Sequence, residues 1–145
     1  MGTPRPSPAK AAEFEAIDFA SARECIAAAA AVGVRHFVYV SVAQPAPVMR
    51  AYVNVRARVE SLLRESGLPH TVLRPWYVLG PGHRWPYLLL PMYWLFSLIP
   101  SLRDGARRMG LVTIRQMVGA LVWSVETASR ESRIVEVPEI RCHSQ

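Results

Sequence analysis

The chain has 145 residues, about half of them apolar, and a formal net charge of +6. That length makes one domain, and that apolar fraction can fill a core, which excludes a disordered or fibrous protein. The basic excess raises nucleic-acid binding, but the arginines are scattered and only Arg103, Arg107 and Arg108 group tightly. Without a basic face interleaved with stacking aromatics, nucleic acid is not an expected partner.

Residues 1–8 carry three prolines and should be extended, with no apolar signal-peptide core. A helical pattern starts near Ala9, and Asp18 or Ser21 can cap a second helix that runs through the alanines at 27–31 and stops at Gly33. Cys25 and Cys142 fit neither a disulfide framework nor a metal-ligand spacing, so a reduced, cytoplasmic setting is expected. The run HFVYVS at 36–41 is apolar, aromatic and β-branched, the pattern of a strand covered on both faces. A loop with two prolines follows at 43–48. Pro47 can open a helix to Ser66, whose Val48, Tyr52, Val55, Val59 and Leu63 recur at helical spacing, and Gly67 suits the left-handed position past its end.

A second strand at 71–73 ends at Arg74-Pro75, because proline cannot donate to a sheet ladder. Gly80-Pro81-Gly82 then turns the chain. Residues 85–100 form the greasiest stretch, too short and too proline-interrupted for the roughly 20 residues of a membrane span. A buried helix is expected there, with a membrane-surface contact as the alternative. Thr113 should cap a periodic helix over 114–125, and residues 133–137 read as a last short strand. Strand, crossover helix, strand, helix, strand predicts an α/β fold with a parallel sheet.

Tyr52 and Arg56 lie one turn apart on a helix, where a cation can favour the tyrosinate and ready the phenol for proton transfer with a carbonyl or alcohol. The same spacing also arises when Tyr52 merely faces the core and Arg56 is a solvated charge. Glu60 is expected to pair with Arg56 at i, i+4. Ser41, at a strand's carboxyl end, sits where open α/β sheets place their ligands, and could instead satisfy local backbone groups. His36, His70, His83 and His143 form no triad or metal spacing and read as structural or exposed.

The run at 36–41, Tyr52-x-x-x-Arg56 followed by Glu60, and TVLRPWYVLGPG at 71–82 together resemble the second half of an atypical short-chain dehydrogenase/reductase. The group is that of NAD(P)-binding proteins close to the NmrA-like and epimerase-dehydratase-like families, and the resemblance covers about 9–141, including RIVEVPEIR at 133–141. It implies a single partial Rossmann-type domain over 1–145, a parallel sheet with flanking helices and a substrate-side helical segment at 85–110. NAD or NADP is the implied cofactor. Carried over by position, Tyr52 matches the family's tyrosine, Arg56 its lysine, and Pro75, Trp76, Tyr77 and Val78 the loop beside the nicotinamide end.

Three positions depart from the pattern. Arginine stands for lysine, Val42 rather than Ser41 aligns with the usual serine, and the loop between Ser41 and Tyr52 is short. The glycine-rich pyrophosphate turn has no counterpart among the eight dispersed glycines, so the N-terminal nucleotide-binding strands are expected to be absent. The strand at 36–41 would then keep an open edge, which predicts self-association. The implied function is a truncated oxidoreductase or epimerase-like enzyme acting on a small molecule. The alternative is a non-catalytic NmrA-like sensor or assembly protein that binds nucleotide or a protein partner.

Overall fold

A computed structural model describes residues 7–46, 48–80 and 110–143. The first helical path begins at Ser7, whose hydroxyl accepts the Lys10 N–H and caps α1 (Pro8–Glu13). It passes through wider π-helical turns at Phe14–Phe19 into α2 (Ala20–Ala31), so neither Asp18 nor Ser21 starts a helix. The backbone stays right-handed helical through Phe19, which leaves no vacant N-terminal amides to cap. Gly33 ends this path at φ 66°, a conformation that costs glycine nothing.

The central sheet is parallel, in the order β1 (Phe37–Val40), β2 (His70–Arg74) and β5 (Arg133–Glu136). Between β1 and β2 runs α3 (Arg50–Glu65), three residues shorter at its start than the proline signal implied, with Gly67 left-handed just beyond it. Two strands have no local signal: β3 (Tyr77–Leu79) and β4 (Leu111–Thr113) pair in parallel as a small second sheet. Thr113 then opens α4 (Ile114–Glu126) with a full capping box, its hydroxyl taking the Gln116 N–H while the Gln116 side chain takes the Thr113 N–H. The short α5 (Val137–Ile140) closes the described fold. The predicted turn at 80–82, beyond Gly80, and the segment expected at 85–110, up to residue 109, lie outside the described residues.

Alternation along the strands builds two cores. Phe37, Tyr39 and Val72 face α2 and α3, joining Ile26, Ala29, Val59, Leu63 and Leu68. Val38, Leu73 and Val135 face the other way, joining Met117, Ala120, Val137 and Ile140 of α4 and α5. Helices on both faces of a parallel sheet make the α/β, partial Rossmann-like layering. Coverage of β1 is uneven, and this corrects the expectation of a strand buried on both faces: Val40 remains 39% exposed because no described element covers that end of the sheet.

β1 also has a free edge. Its Phe37, Ser41 and Ala43 amides bond to carbonyls of Pro69, Leu73 and Pro75, so the intervening Val38 and Val40 turn their backbone groups outward. The amino ends of the strands are tied by His36, whose ring nitrogens meet the Ser129 carbonyl and the Thr71 hydroxyl, each at 2.9 Å. His70 is buried against the Leu68 carbonyl and the Ser132 hydroxyl. Both histidines are structural.

Candidate functional site

Two polar clusters flank α3 at the carboxyl ends of β1 and β2, where parallel sheets position ligands. The first surrounds Arg56. One guanidinium nitrogen donates to the Tyr39 hydroxyl at 3.0 Å and to the Val40 carbonyl at 3.2 Å, on the free edge of β1. The other donates to Asp18 at 2.8 Å, the carboxylate that the π-helical turns present. Its carbon also lies 4.9 Å from the centroid of Tyr52, which meets Phe14 edge-on on the same flank. The Tyr52 hydroxyl makes no hydrogen bond among the described residues. Burial pushes the Tyr39 hydroxyl above the ordinary phenol value, and Arg56 pulls against that shift without cancelling it.

The second cluster surrounds Glu60, which is 3% exposed. Its carboxylate accepts from the Ser41 hydroxyl, the Gln44 amide and two nitrogens of Arg74, at 2.5–3.2 Å. Arg74 also reaches Glu136 at 3.6 Å. Glu60 therefore pairs with Arg74 across the sheet rather than with Arg56 along the helix. The physical reason is burial: a sequestered carboxylate needs several donors, and the end of β2 supplies a two-pronged cation that the helix surface does not. The hydrogen bonds to Glu60 raise the Arg74 guanidinium above its ordinary pKa, against the opposing effect of burial.

The expected site residues are thus distributed over two places. Tyr52 and Arg56 share one flank of α3, while Ser41 donates inward to Glu60, with no hydrogen bond to Tyr52. Pro75 is buried and its carbonyl receives the Ala43 amide; Trp76 packs on the second core and Tyr77 and Val78 enter β3. The weight of Glu60 and Arg74 went unread in the sequence, since fourteen residues and a strand separate them. Arg74 in the Leu-Arg-Pro run was the available signal: an arginine ending a buried strand needs an acidic partner.

Residues 5–84 match the family model described as NAD(P)H-binding, more than half of the chain. The chain belongs to this NAD(P)H-binding family. No curated protein matches it. The family supports a nicotinamide dinucleotide as cofactor, and the described residues of this chain fit that group in part. The β2–β3 segment and Tyr52 lie at the carboxyl ends of the strands, where a nicotinamide would approach. Among the described residues no pyrophosphate cradle forms: the two left-handed glycines, Gly33 and Gly67, follow helices, and the β1–α3 loop contains no glycine. No chemical step is derived through the dinucleotide for that reason. No described helix is long and apolar enough to cross a membrane, and no described His, Cys, Asp and Glu gather into a metal-binding group.

Proposed function

We propose that this chain is the substrate-side part of a short-chain dehydrogenase/reductase-like oxidoreductase, whose pyrophosphate-binding strand and turn pair with the free edge of β1. The observation that supports it most is the Tyr52–Arg56 pair beside that edge: a phenol with no hydrogen bond among the described residues and a fixed cation against its ring. Tyr52 is the acid/base toward a carbonyl or alcohol of a small molecule, with the Arg56 guanidinium against its ring. Ser41, whose proton is committed to Glu60, acts by fixing the end of β1 against α3. Pro75, Trp76, Tyr77 and Val78 form the wall beside the nicotinamide end.

One observation favours the second reading, a non-catalytic NmrA-like sensor. Arg56 is anchored on Tyr39, Val40 and Asp18, whereas a proton-relaying lysine must keep its donors for ligand. A carbonyl-reduction assay in a chain that includes a nucleotide-binding segment separates the two. Turnover that Tyr52→Phe lowers by about a hundredfold or more supports the enzyme. Nucleotide binding without turnover across carbonyl and alcohol panels supports the sensor, and turnover indifferent to Tyr52→Phe contradicts the assignment of Tyr52.

A further inference from the structure

The flank of α3 opposite Tyr52 borders a cavity of about 520 Å³, between the β1–α3 loop and the end of β2. Arg50 and Asn54 face it from one turn of α3, Arg74 from the strand end and Gln44 from the loop, with Val53 as an apolar floor. Arg50 and Tyr52 stand two residues apart on the helix and so point to different sides. Among the described residues no carboxylate lines this space. Glu60 accepts from the Nε and one terminal nitrogen of Arg74 and so holds its guanidinium at the cavity wall, while Arg50 and Asn54, both exposed, have no hydrogen-bond or ionic partner among the described residues.

Two guanidinium groups and two carboxamides converging on one cavity, one cation prepositioned and one uncompensated, match a compact oxyanion held by charge-assisted bonds. We infer that this cavity binds the carboxylate or phosphate of a small-molecule ligand, at a site separate from the Tyr52 flank. Arg50 supplies a charge that no described carboxylate offsets, Arg74 the N–H groups that its bonds to Glu60 leave over, and Asn54 and Gln44 the neutral polar contacts. The inference needs neither nucleotide binding nor turnover.

Equilibrium dialysis of radiolabelled inorganic phosphate against the full chain, at ionic strength held constant with chloride, tests it and tolerates self-associated protein. Competition by malonate distinguishes a carboxylate site from a phosphate site. Saturable uptake of either anion near one per chain is expected, weakened about tenfold or more by Arg50→Gln, the loss of one charge-assisted contact. Arg115→Gln, an exposed arginine outside the cavity, should leave it unchanged and controls for the chain's overall positive charge. Equal weakening by the two substitutions, or no saturable uptake of phosphate or malonate, overturns the inference.

Discussion

Glu60 and Arg74 carry the tightest electrostatics in the described structure, with side chains 4% and 16% exposed. Removing one member of a buried pair leaves the other uncompensated, so Glu60→Gln should cost about 3 kcal/mol, read from urea denaturation midpoints. The surface pair of Arg58 and Glu15, about half exposed on each side, should be worth below about 1 kcal/mol by the same measurement. Tyr39 gives a pH signature. Its phenol is raised by burial, so the folded state keeps its proton where the unfolded chain releases it. The stabilisation is complete below the ordinary phenol pKa and is lost as pH rises from there through the raised folded-state value. Alkaline titration should show unfolding that Tyr39→Phe moves to higher pH, and an unchanged profile in that variant would contradict the assignment. None of these pairings follows from spacing: Arg56 found Asp18 thirty-eight residues away, and Glu60 found a strand end, because burial rather than helix neighbourhood chose the partners.

At the scale of elements, what was legible was what is encoded locally. The Thr113 cap, the Gly33 and Gly67 stops, the amphipathic helix between the first two strands and the parallel order were all readable from short-range pattern. Thr113→Ala, which removes the capping box, should lower stability by about 1 kcal/mol in thermal melts, and an unaffected melt would count against it. β3 and β4 were unreadable because each is three residues long and has meaning only against a partner more than thirty positions away. The start of α3 was placed too early, since Pro47 permits a helix without compelling one, and Met49 adopts a left-handed backbone just before Arg50. The π-helical turns were also silent in the sequence. They matter to the site because they carry Asp18 to Arg56 and Phe14 to Tyr52.

For the whole molecule, the free edge of β1 and the lack of a cradle among the described residues support one proposal, that a nucleotide-binding strand pairs with this edge. An edge strand in a parallel sheet normally has a neighbour, and here the described fold offers the outward groups of Val38 unpaired by strand and the Val40 carbonyl covered only by Arg56. The chain by itself should therefore self-associate at this edge, visible as concentration-dependent species in sedimentation velocity; a monomer throughout would contradict that proposal. The family and the layered fold were readable from motifs at 36–41, 52–60 and 71–79, because those segments combine strand chemistry with strand-end turns. Activity was not, since it depends on groups that bind the dinucleotide. We propose that the described residues carry the carboxyl-end crevice of an NAD(P)H-binding domain without a pyrophosphate cradle among them. Fluorescence titration of the 145-residue chain with NADH and NADPH checks this: no saturable binding below millimolar cofactor is expected, and tight, saturable binding would rule it out.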